Sequence, residues 1–188
     1  MSKNMKLKHY LALTFSVSLS VLHCEILPAY ALPGQSIKTV IQWSRNHAKI
    51  PPLTSVKKLE EGYPDYSSQT SFKKYSVSFD VWINSKGIVT EEMIDARNYE
   101  NNRVNLEFTK NNNNALQLIN MIYGQTIVND YQNAKYVDMV KIGGLGLIKF
   151  YRGKKYAYQI WGDGGSHQFT IIPLKDLVSR IDNWKRQQ

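Results

Sequence analysis

From Tyr75 to Ile83 the side chains alternate with a period of two: Val77, Phe79, Val81 and Ile83 are interleaved with Ser76, Ser78, Asp80 and Trp82. That period belongs to a half-buried strand, because successive residues of an extended chain point to opposite faces. A second β-rich run, Ile88 to Ile94, follows across Asn84-Ser85-Lys86-Gly87, so this segment is expected to be a hairpin. The last third reads as a meander of three strands, Leu145 to Tyr151, Lys154 to Trp161 and His167 to Ile172. Arg152-Gly153 and Gly162-Asp163-Gly164-Gly165-Ser166 supply the turns. Val104 to Thr109 alternates in the same way and is expected to add a strand.

Helical signals separate these runs. Ser36 is a suitable N-cap for a helix that places Ile37, Val40, Ile41 and Ser44 on one face, and Pro51-Pro52 prevents a long continuation. Asn114 is expected to cap a helix from Ala115 to Tyr123, with Ala115, Leu118, Ile119 and Ile122 on its buried face and Gly124 just past its end. Pro173 opens a final helix with the stripe Leu174, Leu177, Val178, Ile181 and Trp184. Residues 61–71 are polar and turn-rich and are expected to form a surface loop. Ile127 to Lys141 is open: its start suits a helix and its end a strand. The expected fold is α+β, an antiparallel sheet built from hairpins with about three helices packed on it. Helix followed by hairpin occurs twice, which raises a duplication that no residue-level match supports.

The first 31 residues read as an export signal: Lys3, Lys6 and Lys8, the apolar run Leu11 to Leu22, and Ala29-Tyr30-Ala31 before Leu32-Pro33-Gly34-Gln35. The apolar run is about a dozen residues, short of the roughly 20 that span a bilayer, so no transmembrane span is expected after cleavage. The alternative is lipidation at Cys24, against which His23 argues, because that position takes a small residue. The expected organisation is a signal peptide over 1–31 and a single exported domain over 32–188. Its compartment is the periplasm or the medium.

Cleavage changes the available chemistry. Residues 32–188 carry 21 basic and 14 acidic residues, a net charge of +7, and no cysteine. Disulfides, thiolate nucleophiles and Cys-ligated metals are thereby excluded. The remaining histidines, His47 and His167, lack metal-ligand spacing. No cofactor is expected. All four tryptophans fall in this part, where dense aromatics mainly build core and sheet surface.

Leu32-Pro33-Gly34-Gln35 before a helix containing Trp43, then Ile122-Tyr123-Gly124, Asp130-Tyr131-Gln132-Asn133-Ala134 and a strand-rich end closed by a helix, resembles a group of uncharacterised exported proteins of cyanobacteria. The resemblance implies export, with a thylakoid lumen as a further compartment, and one domain. It implies no activity.

Three functions follow as expectations. The first is a non-catalytic binding domain built on Lys149, Tyr151, Arg152, Lys154, Lys155, Tyr156 and Tyr158. Alternate residues of a hairpin share a face, so cations bordered by rings suit an anionic envelope polymer or an acidic protein, rather than nucleic acid. The second is a hydrolase of polysaccharide or peptide using Asp80, Glu91, Glu92, Asp163 and His167. Glu91 and Glu92 diverge on a strand, which leaves Asp80 across the hairpin as the partner of either. The third is a structural subunit of an envelope complex. Ser55-x-x-Lys58 and Ser71-x-x-Lys74 match a penicillin-binding motif only in letters, since neither opens a helix. Mass spectrometry of the exported protein is expected to give an N-terminus at Leu32; a lipid-modified Cys24 would overturn this processing.

Overall fold

The computed structural model describes residues 31–57, 63–98, 105–143, 146–163 and 166–187. The expected signal sequence up to residue 30, Val104, Leu145 and Gly164-Gly165 lie outside them. The strands are β1 (Thr54–Ser55), β2 (Tyr66–Phe72), β3 (Tyr75–Ile83), β4 (Val89–Asn98), β5 (Lys135–Ile142), β6 (Gly146–Arg152), β7 (Tyr156–Asp163) and β8 (Ser166–Pro173). The helices are α1 (Ile37–Asn46), α2 (Asn113–Tyr123), α3 (Gln125–Asn133) and α4 (Leu177–Lys185), the last preceded by a 3-10 turn over Leu174–Asp176.

All eight strands form one antiparallel sheet in the order β1-β2-β3-β4-β8-β7-β6-β5. It consists of two four-stranded meanders that meet at their final strands, where Glu92, Met93, Ile94 and Asp95 face Ile171, Thr170, Phe169 and Gln168. A helix or helix pair precedes each meander, so the order is the one a two-fold axis between β4 and β8 would generate. The α+β expectation holds: the described residues form four helices where about three were expected, and both sheet faces are used.

The larger core lies between one face and α1 to α3. Val77, Phe79, Val81, Ile94, Tyr158, Phe169 and Ile171 meet Val40, Trp43, Leu118, Ile122 and Tyr131 there. Phe169 sits at the meeting of the meanders, with ring centroids 5.6 Å from Phe108, 5.0 Å from Tyr131 and 5.6 Å from Tyr158. The smaller core is on the opposite face, where Leu177 and Ile181 of α4 cover Val140, Ile148, Phe150, Ala157 and Ile172. Helix starts follow capping chemistry. Ser36 Oγ accepts from Thr39 N at 3.2 Å, and the cap of α2 is Asn112 instead of Asn114, accepting from Asn114 N at 3.1 Å. Buried Ser44, in the last turn of α1, accepts from Leu53 N at 3.0 Å, which holds the Pro51-Pro52 segment against the helix.

Three expectations are corrected. Residues 66–72 are a strand, not a loop; β2 lies with Ser67 opposite Asp80 and Gln69 opposite Ser78 on a polar sheet face, so it needs no apolar alternation. Among residues 105–109 there is no strand: Leu106 and Phe108, each 1% exposed, enter the core, and Leu106 N donates to Ala96 O at 3.2 Å. Val178 is 60% exposed, because only Leu177 and Ile181 of that stripe face the sheet fully. The open stretch Ile127 to Lys141 resolves into α3 followed by β5.

Among the described residues, the larger core encloses one carboxylic acid. Glu92 is 0% exposed among apolar side chains, and neither carboxylate oxygen has a hydrogen-bond partner; the hydroxyl of buried Tyr123 is also unpartnered. Burial pushes the Glu92 carboxyl well above the usual carboxylate range. The folded state therefore holds the proton that the unfolded chain releases above about pH 4.5. Stability present below that pH is lost as pH rises toward the folded value. Glu92→Gln is expected to raise the urea midpoint at pH 8 and to leave it almost unchanged at pH 4; a lowered midpoint at pH 8 would reveal a partner for the carboxylate.

Candidate functional site

The β6–β7 turn is built around one carboxylate. Asp130 of α3 accepts from Lys154 N at 2.7 Å, from Lys155 N at 3.4 Å and from Tyr158 Oη at 2.7 Å. A Cβ at Gly153 would press into this carboxylate and come within 2.9 Å of the Tyr158 ring, so the position requires glycine. Burial first, then Asp130, pushes the Tyr158 hydroxyl far up. The turn is thereby held at fixed height above α3. A cleft of about 450 Å3 opens between them, lined by Thr126, Asn129, Asp130, Asn133, Lys154 and Lys155.

The seven residues expected on the basic surface divide by position. Lys149, Arg152, Lys154 and Lys155 are exposed, and among the described residues none has a carboxylate partner for its side chain. Lys149 and Tyr151 share the face of the larger core, at its edge beyond α2 and α3, whereas Arg152 points to the opposite face beside Ala157. Tyr158 is fully buried and Tyr156 half-buried, so these two rings brace the hairpin from within. The register puts Tyr151 and Tyr158 on one side, and the helices decide which of these rings meets water.

The structure adds residues to this face. Tyr136 of β5 is 57% exposed and lies 5.9 Å from the Tyr151 ring, and Met139 stands opposite Lys149. Lys110 donates to Ala134 O and sits 4.9 Å above the Tyr151 ring, and its ammonium is held below the ordinary lysine value by burial. Strict alternation would put Tyr136 and Met139 on opposite faces, and only the register shift between Tyr136 and Asp138 brings them to one; nothing local in the sequence predicts Lys110, which reaches the face from the segment before α2.

The described hydrolase candidates, Asp80, Glu91 and Glu92, do not gather into one site. Glu92 lies in the larger core, while Asp80 and Glu91 are on the other sheet face. Glu91 pairs with Arg180 of α4. Asp80 is 8% exposed and accepts from Ser67 Oγ at 2.5 Å and Ser78 Oγ at 2.9 Å. Burial raises its carboxyl, and the two serine bonds oppose that rise. Asp163 and His167 occupy the ends of β7 and β8; their side chains lie outside the described set. His47 is structural, with Nε2 donating to Met121 O at 2.9 Å and burial lowering its pKa.

Comparison with family models, curated proteins and solved structures gives no match. No helix among the described residues is long and apolar enough to cross a membrane, and none of their His, Cys, Asp and Glu side chains form a metal-binding group of three. Asp130→Ala removes the acceptor for three donors, one of them a buried hydroxyl, and is expected to cost about 2–3 kcal/mol. Gly153→Ala is expected to cost about 2 kcal/mol by overpacking. Urea denaturation checks both, and unchanged stability in either variant would show that the turn does not depend on Asp130.

Proposed function

We propose that residues 32–188 form a non-catalytic exported domain that binds an anionic envelope polymer through the β5–β6 face and the β6–β7 turn. The observation that carries this reading is that Lys149 on this face, Lys154 and Lys155 in the turn and Arg152 at the turn's other side are exposed cations without carboxylate partners among the described residues, on a hairpin braced by Asp130. The turn cations need no rearrangement to meet a ligand, which lowers the ordering cost of binding. Exposed Tyr136 and half-exposed Tyr151 provide flat apolar surface beside them for the ring faces of an acidic polysaccharide. The charge of +7 over these residues favours approach to a negatively charged layer.

A structural-subunit reading draws on a different feature. β5 is an edge strand with Tyr136, Val137 and Met139 at 57%, 40% and 44% exposure, flanked by Lys135 and Lys141. Crosslinking in the native envelope separates the readings: capture of β5 by one protein favours the subunit.

Binding of the exported protein to immobilised polygalacturonate tests the main reading. Affinity is expected to fall more than tenfold between about 50 and 500 mM NaCl, since exposed charges are screened over that range. The triple variant R152E/K154E/K155E is expected to abolish retention while keeping its circular dichroism spectrum. Retention that is indifferent to salt and to charge reversal would overturn the proposal.

A further inference from the structure

The sheet face opposite α1 to α3 is only half covered. α4 packs over β5, β6, β7 and the Ile172 end of β8, and the rest of that face over β2, β3, β4 and β8 is mainly polar, with Trp82 and Met93 as its apolar members. Pair registers place Gln69, Ser78, Asp95, Gln168 and Trp161 in one row across five neighbouring strands. A pocket of about 210 Å3 lies on this row, lined by Gln69, Ser76, Ser78, Asp95 and Arg97.

Asp95 is the unusual member. It is 3% exposed, yet its Oδ1 has no hydrogen-bond partner, and it lines the pocket. An unpaired buried acceptor is costly, so a donor that reaches Oδ1 from the pocket, after a small shift of the side chains that cover it, recovers that cost. The other oxygen, Oδ2, is occupied by Arg97 Nε at 3.1 Å, Arg97 Nη2 at 2.7 Å and Gln168 Nε2 at 3.4 Å. Arg97 is 66% exposed at its side chain and keeps further N–H groups directed to solvent.

These groups select a chemistry. The guanidinium beside Asp95 compensates its charge and disfavours a cation, and the carboxylate disfavours an anion. A neutral donor–acceptor ligand remains, and Ser76, Ser78 and Gln69 offer both kinds of hydrogen bond. Adjacent acceptor and donor on Asp95 and Arg97 match neighbouring hydroxyls of a sugar ring. Trp161 stands two strands from Asp95, about 10 Å by strand spacing, with its indole wedged at 5.5 Å against Trp184 of α4. That spacing suits the C–H face of a further sugar unit.

We propose that this row is a binding site for a neutral, hydroxyl-rich oligosaccharide, held by Asp95, Arg97, Gln69 and the serines in the pocket and stacked on Trp161. Asp80, fixed by Ser67 and Ser78, is a positioning residue beneath it. The site lies on the other side of the sheet from Lys149 and Tyr151 and several strands from the β6–β7 turn, and does not rest on the polyanion reading.

The experiment is NMR titration of the isotopically labelled exported protein with chitohexaose, cellohexaose and maltohexaose in turn. At least one is expected to give saturable shifts at Gln69, Asp95, Gln168 and the Trp161 indole N–H, unchanged by 500 mM NaCl or by R152E/K154E/K155E. Asp95→Asn is expected to weaken it about tenfold, equivalent to 1.4 kcal/mol. Gln69→Ala, an exposed change that spares the fold, is expected to weaken it about threefold. No saturable shift with any of the three at ~10 mM, or equal affinity in both variants, would overturn the proposal.

Discussion

The contact on which the rest depends is the packing of Phe169 at the seam between the meanders. Its ring is fully buried and touches Phe108, Tyr123, Tyr131 and Tyr158, which come from the segment before α2, from α2, from α3 and from β7. Only four residue pairs register β4 against β8, so backbone bonding at the seam is short. Aromatic packing adds to it through α2, where the Tyr123 ring meets both Phe169 and Phe79 of β3, at roughly 1.5–3 kcal/mol for each fully buried large side chain. A chain without disulfides after residue 31 must be held this way.

The same cluster sets the geometry of the cationic face. Tyr131 and Tyr158 lock α3 against β7, which lets the neighbouring Asp130 reach the turn backbone. Lys154 and Lys155 are thus carried by a turn whose amide groups are already satisfied. The cost of ordering that turn is met on folding and not on binding, which suits recognition of a ligand by charge alone.

Much of the fold was legible in the residues. The β3–β4 hairpin, the closing meander, the existence of α1, α2 and α4 and the antiparallel α+β class follow from periodicity and punctuation, although α2 is capped by Asn112 and α4 begins at Leu177 without a side-chain cap. β2 was not, because its Ser, Gln and Thr residues resemble a loop unless the polar face of β3 is known to lie beside them. Leu106 and Phe108 misled in the opposite sense: period-two burial arises wherever an extended segment meets a core, whether or not a ladder forms. For the candidate surfaces, the cations of the β6–β7 turn were readable as a cluster. The row through Asp95 was not, since its members come from five strands and acquire their alignment only from register.

What the sequence determined by itself was local: which segments extend, which coil, where they turn, and the charge and cysteine content that bound the chemistry. Those properties depend on residues a few positions apart. Tertiary structure alone decided which tyrosines face water, that Glu92 is enclosed without a partner, and that Asp95 and Arg97 open onto a pocket. Such properties belong to surfaces assembled from distant segments. Burial and unpaired hydrogen-bonding groups arise only when those segments pack.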